Sequence, residues 1–241
     1  MATTRVTVFR SAAALADGVA EQFALRAAEA VAERGRFRVL LAGGETPLAA
    51  YRRLAAAPWA ELVPWSAADL FFGDERAVGE CDGARNDAAV RDALLLRVPV
   101  PPENVHPIPA LAPDAAERYE ALLRARLGAR APAIPVLDLV LLGLGEDGHT
   151  ASLFPGQPAA EEGVRLVVRV DGAPKPPPSR VTVTLPLLNA ARAALFVVSG
   201  AAKRDALARV LGGDASLPAS RVDPAGGERL FFLDRAAAGD E

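Results

Sequence analysis

Phe37-Arg38-Val39-Leu40-Leu41-Ala42-Gly43-Gly44-Glu45-Thr46-Pro47-Leu48 is the stretch from which the fold of this chain can be read. A short apolar run bounded by glycines is a buried strand, and the paired glycines make a tight turn. Thr46-Pro47 then reads as the N-cap and first position of a helix over residues 48–56. The same order of strand, glycine and following segment recurs with residues 69–72 before Gly73, 137–142 before Gly143, and 194–198 before Gly200 and a helix over 201–211. Upstream, residues 5–9 alternate polar and apolar as a short strand. Ser11 caps a helix that carries Leu15, Val19, Phe23, Ala27 and Val31 at four-residue steps, and Gly35 is placed to end it. Further strands are expected at 164–170, 181–185 and 230–233.

Short apolar strands alternating with amphipathic helices need a sheet buried on both sides, because strands without polar alternation have no face for water. The fold class is therefore α/β: a doubly wound, mostly parallel sheet with helices on both faces, in three Rossmann-like layers. The proline-rich stretches 98–113 and 173–178 read as loops inside one domain over residues 1–241, since βα units continue on either side of them.

Composition narrows the function classes. Of 241 residues 51% are hydrophobic and only 5% aromatic, so the core is built from Ala, Val and Leu, and no platform of aromatics and bases for stacking nucleic acid is present. The formal charge of −3 argues against a surface that coats polyanions. Cys81 has no second cysteine to pair with, and no apolar run reaches the ~20 residues a membrane helix needs. No signal-peptide core separates the charges of the first fifteen residues, so the expectation is a cytoplasmic protein without nucleic-acid or membrane partners. No helix shows a surplus apolar stripe, which leaves the oligomeric state open with a slight preference for a monomer.

In open α/β sheets, ligands bind beyond the carboxyl ends of the strands, at glycine loops and helix N-termini. Ala42 to Pro47 suits an anion there, with Thr46 adding a hydroxyl, although an ordinary tight turn looks the same. Gly73-Asp74-Glu75-Arg76 places two carboxylates and an arginine directly after a strand. Such triplets are often solvated loops, but an acid pair can also orient a histidine, and Arg76 suits bidentate phosphate recognition. Gly143, Gly145 and Gly148 have the spacing of a dinucleotide loop, yet Glu146 and Asp147 repel a pyrophosphate and Pro155 cuts short any helix. That segment instead offers His149 among small residues at the sheet rim. Lys203 opens a helix against its dipole, which makes sense if an anion lies between them. His106, between prolines, reads as structural and Lys175, among prolines, as solvated. Two histidines and one cysteine supply too few nitrogen and sulfur ligands for zinc, so neither metal nor other cofactor is expected.

Taken in order, these segments resemble the 6-phosphogluconolactonases, within the larger group of sugar-phosphate isomerases that includes glucosamine-6-phosphate deaminase. The strongest element is Gly143 to Pro155, similar to the lactonase pattern Gly-x-Gly-x-Asp-Gly-His-Thr-Ala-Ser-Leu-Phe-Pro at every specified position. Gly43-Gly44 with Thr46-Pro47, Gly73 to Arg76, Asn104-Val105-His106, Arg180-Val181-Thr182 and Gly200 with Lys203 support it. Glu45 falls where many members have serine. The resemblance implies hydrolysis of 6-phospho-D-glucono-1,5-lactone to 6-phosphogluconate in the oxidative pentose phosphate pathway, with His149 as base and then acid. It implies a phosphate site of Gly43, Gly44, Thr46, Arg76, Arg180 and Lys203. Asp74 would orient His149 or a sugar hydroxyl, with Asp147 a rival as the orienting residue.

Two other readings share the scaffold. A glucosamine-6-phosphate deaminase carries a further carboxylate after its histidine, in a segment similar to Gly-His-Ile-Gly-Phe-Asn-Glu-Pro, where this chain has Thr150 to Pro155. A non-catalytic sugar-phosphate sensor needs the phosphate ligands but not His149, and its effector segment is not evident in this sequence.

Overall fold

A computed structural model describes residues 2–80 and 82–239. Cys81, the lone cysteine, lies outside the described residues. The strands are β1 (Thr3–Phe9), β2 (Phe37–Leu41), β3 (Ala68–Phe72), β4 (Asp74–Arg76), β5 (Val105–His106), β6 (Leu139–Leu142), β7 (Val167–Val170), β8 (Arg180–Val183), β9 (Ala193–Val198) and β10 (Glu228–Asp234). The helices are α1 (Ala12–Arg34), α2 (Glu45–Leu54), α3 (Trp59–Leu62), α4 (Asn86–Val90), α5 (Ala115–Leu127), α6 (Leu185–Asn189), α7 (Arg204–Leu211) and α8 (Arg235–Ala238).

Seven strands form a parallel sheet in the order β1-β10-β9-β6-β2-β3-β5, flanked by helices in a three-layer α/β fold. The apolar runs explain the layering. Every residue of β3, β6 and β9 is buried, as strands covered on both faces must be, whereas β1 closes one edge with most of its residues exposed. Ser11 caps α1 by accepting from Ala14 N–H, and Gly35 ends it at φ 73°, a left-handed conformation that suits glycine. One main core cluster runs from Leu15 to Ala237, and Phe154, Val170 and Ala173 make a small second one.

Four expectations are corrected. The strands expected at 164–170 and 181–185 are shorter and leave the parallel sheet: β7 and β8 form a separate antiparallel sheet with β4. Asp74-Glu75-Arg76 is therefore a strand and not a solvated loop, because β8 pairs with it and its alternation sends Asp74 and Glu75 to opposite faces. Helix α2 starts at Glu45 with Gly44 as its N-cap, at φ 94° and ψ 155°, so Thr46 lies inside the first turn and caps nothing. Pro47 fits there because first-turn N–H groups have no intrahelical partner to lose. After Gly200 the chain makes a tight 3₁₀ turn over Ala201–Lys203, and the α-helix begins only at Arg204.

Candidate active site

The chain leaves β2 toward β3 on one side and leaves β6 toward β9 on the other. The divergence opens a cleft beyond the carboxyl ends of these strands, as open α/β sheets require. The cleft, about 360 Å³, lies within the size range of small-molecule sites and gathers Gly43, Gly44, Thr46, Asp74, Arg76, His149, Arg180 and Lys203. All eight candidate residues from the sequence meet there.

His149 is held by its own loop. Gly148, at φ 81°, turns the chain so that the side chains two positions apart come together, and His149 Nδ1 contacts Asp147 Oδ1. Gly145 stands where a Cβ would run into both the His149 ring and Asp147, which explains a glycine there without any dinucleotide. The ring also packs against Phe154, with centroids 4.6 Å apart. Ala151 is the non-glycine residue of the described chain with positive φ, at 48°, so the turn after the histidine stores backbone strain beside the cleft. No helix follows His149; Thr150 and Leu153 bridge to each other instead. Burial holds the imidazole below its ordinary pKa, with Lys175 acting the same way, while Asp147 and Asp74 oppose them. Asp147 is held below the usual carboxylate range, its burial outweighed by hydrogen bonds from His149 and by the His149 and Lys175 charges.

Of the two carboxylates expected as partners of His149, the one in contact with its ring is Asp147. Asp74 instead accepts from Ser152 Oγ at 2.6 Å and from Asn86 Nδ2 at 3.1 Å, and lies 3.9 Å from Arg180 Nη1. It remains a cleft-lining carboxylate with only 7% exposure. Glu75, on the opposite face of β4, is fully buried and accepts from the backbone N–H groups of Arg76, Asn86 and Asp87, each at 2.8 Å. It thereby covers the start of α4, and burial pushes its carboxyl up to about 7.

The anion-binding candidates divide. Gly44 and Gly200 sit at the starts of two helical segments, and a Cβ on Gly43 would run into Asn86. Tyr51 hydroxyl accepts from Ala42 N–H and donates to Ala42 O, both at 3.0 Å, fixing the entry to the first loop. Asp234 fixes the second by accepting from Ser199 Oγ and from Gly200 N–H. Lys203 Nζ lies 3.5 Å from Glu146 Oε1. Arg76 donates through Nη1 to Ala84 O and leaves a buried Nε without a partner. Arg180 lines the cleft and is held by the protein on three sides. Nε donates to Pro177 O, Nη2 to Lys175 O at 2.9 Å, and Nη1 to Ser152 Oγ at 3.3 Å, so each nitrogen of the guanidinium is engaged by the protein. It clamps the loop between β7 and β8 from within the cleft.

His106 is buried as expected of a structural residue, stacked on Phe71 and 3.4 Å from Asp69. Sequence reasoning did not single out Asn86, whose contact with Asp74 carries no local signal, nor Ser152 and Phe154, which it read only as part of the motif and whose contacts with Asp74 and Arg180 come from distant segments. It also set Lys175 aside as solvated; the lysine is exposed, but it lines the cleft. Among the described residues no group of three or more His, Cys, Asp or Glu side chains is arranged to hold a metal, and no helix is long and apolar enough to cross a membrane.

The chain is similar to known proteins over most of its length. The chain is 42% identical over 217 residues to the 6-phosphogluconolactonase of Mycobacterium tuberculosis, covering 87% of each chain. It is 41% identical over 241 residues to that of Rattus norvegicus, covering 97% of this chain and 92% of the other. A crystal structure of a 6-phosphogluconolactonase from Thermotoga maritima superposes with a TM-score of 0.84 at 29% identity, over 96% of this chain and all of that one. The family model for glucosamine-6-phosphate isomerases/6-phosphogluconolactonase matches residues 10–231, and the chain belongs to that family.

Proposed function

We propose that the chain hydrolyses 6-phospho-D-glucono-1,5-lactone to 6-phosphogluconate, the lactone-opening step of the oxidative pentose phosphate pathway, as a single domain that needs no cofactor. The observation that carries this reading is His149, its Nδ1 engaged by Asp147 and its ring at a cleft that also holds helix starts and cations for a phosphate. Nε2 is then the nitrogen left for water. A depressed pKa keeps the imidazole neutral near pH 7, as a base must be.

In the reaction, His149 Nε2 takes a proton from water as its oxygen bonds to C1, and the carbonyl oxygen becomes an oxyanion. Collapse restores the carbonyl and breaks the bond from C1 to the ring oxygen, which leaves with the proton from His149. The new carboxylic acid then loses its proton to solvent. Asp147 stabilises the transient imidazolium and fixes the ring. The phosphate is held by Gly43, Gly44, Thr46, Arg76 and Lys203, and Asp74 accepts from a sugar hydroxyl. The absence of a carboxylate from Thr150 to Pro155 favours hydrolysis over deamination. Thr150 and Ser152 are buried, their hydroxyls spent on Gly143 O and Asp74.

The test is a coupled assay. Glucose-6-phosphate dehydrogenase makes the lactone, 6-phosphogluconate dehydrogenase reports its opening, and spontaneous hydrolysis is subtracted. Acceleration above background is expected, and a progress curve identical to the protein-free control rejects the reading.

A further inference from the structure

Hydrolysis of a sugar lactone develops negative charge at two places: the phosphate carries it throughout, and the C1 oxygen acquires it in the tetrahedral intermediate and keeps it in the product carboxylate. The glycine-started helical segments, Arg76 and Lys203 answer the first. The site described so far has no donor for the second, and such donors contribute heavily to acyl-transfer catalysis.

Lys175 lines the same cleft as His149. The segment 171–179 joins β7 to β8 and is closed on itself: Ala173 N–H donates to Pro178 O at 2.9 Å and Ser179 Oγ to Asp171 Oδ1 at 3.0 Å. Pro174, Pro176, Pro177 and Pro178 restrict its backbone, and Arg180 grips the carbonyls of Lys175, Pro176 and Pro177. Its root packs onto the catalytic turn, because Ala173 clusters with Phe154, the ring that packs at a tilt against His149 and lies 5.4 Å beneath the Arg180 guanidinium. A lysine on such a loop is presented with little backbone entropy left to lose. Among the described residues Lys175 has no ion-pair partner, unlike Lys203, which faces Glu146. Its charge also acts on both His149 and Asp147.

We propose that Lys175, carried over the cleft by the proline loop and positioned through Arg180, is a further catalytic residue that stabilises negative charge on the C1 oxygen of the lactone and of the product carboxylate. This role rests on the lactone-hydrolysis reading. It assigns the two lysines of the chain to opposite ends of the substrate.

The experiment compares wild type with Lys175→Met, by calorimetric binding of 6-phosphogluconate and of glucitol 6-phosphate, which keeps the phosphate but lacks the carboxylate, and by lactone kinetics. Wild type binds 6-phosphogluconate more tightly. Lys175→Met weakens that ligand by roughly tenfold, leaves glucitol 6-phosphate unchanged, and lowers kcat by about 10²-fold with KM held. Unchanged glucitol 6-phosphate binding also certifies that the variant is folded, and Lys175→Arg restores part of kcat. Equal weakening of both ligands makes Lys175 a phosphate ligand and overturns the proposal, as does a variant that matches wild type throughout. Wild-type protein that fails to accelerate lactone opening sinks the functional reading itself, and that is seen before any substitution is made.

Discussion

Gly44, after β2, and Gly200, after β9, hold nearly the same backbone, at φ 94°, ψ 155° and φ 96°, ψ 145°, and each is followed at once by a helical turn. The loop after β6 starts with Gly143 at the same level of the sheet, yet no helix follows it; its glycines serve instead to seat a histidine against Asp147. The difference is chemical. A helix start presents backbone N–H groups whose partial charge does not titrate, which suits a group bound alike in substrate and transition state. A turn without a helix can aim one titratable side chain and surround it with groups that set its pKa. In the proposed function, binding and chemistry thus fall to adjacent strand ends built from different backbone.

The largest expected effect tests the turn. His149→Asn keeps a polar side chain of similar size but removes the base, so kcat falls by about 10²–10⁴ with little change in KM. Steady-state kinetics with background subtraction measures this, and a variant keeping most of its turnover breaks the assignment of chemistry to the β6 loop.

The helix starts are tested next. Lys203→Ala removes one charge-assisted contact, worth about 1.5–3 kcal/mol, from a group held similarly before and during reaction. KM therefore rises roughly 10- to 150-fold while kcat holds. Inorganic phosphate competes with substrate in wild type and loses potency in the variant. A fall in kcat with KM intact erases the division between the two kinds of loop.

What could be read in advance follows the same division. The strands, glycine turns and helix starts are local patterns, and the sequence displays them. The antiparallel sheet escapes such a reading because β4 pairs with β8 across more than a hundred residues, and a three-residue strand has no periodicity to recognise. Asp147 and Asp74 compete for the histidine in sequence. Their roles separate only through the left-handed turn at Gly148 and through Ser152, which engages Asp74 from 78 positions away. Lys175 looks like any lysine among prolines until Arg180 folds its loop over the cleft.

The electrostatics of the turn give a smaller effect with a definite sign. Burial and Lys175 lower the His149 pKa, whereas Asp147 and Asp74 raise it. The kcat/KM profile accordingly rises with pH through an ionisation below the ordinary histidine value of about 6.5. Asp147→Asn removes the larger stabiliser of the imidazolium, so the rising limb moves to lower pH and the plateau drops as the ring loses its orientation. Asp74→Asn moves the limb less, in the same direction. If Asp74→Asn shifts the limb more than Asp147→Asn, the histidine's working partner is Asp74 and the contact in the turn is incidental.

The smallest effect lies where the two regions touch. Glu146 belongs to the histidine loop, yet its carboxylate sits 3.5 Å from Lys203, with the glutamate side chain 61% exposed and the lysine 25%. An ion pair so open to water is worth about 0–1 kcal/mol, too little to hold the lysine once a phosphate dianion arrives, but enough to compete with it. Glu146→Gln frees Lys203 and removes a repulsive charge from the phosphate's path, so KM falls by roughly two- to fivefold with kcat and the pH limb unchanged. Raising the salt concentration shrinks that gain, because exposed pairs are screened. A rise in KM would mean that Glu146 steers Lys203 into its binding pose. A change in kcat would mean that the histidine turn senses the charge at the helix start, and the two loops would then work as one unit.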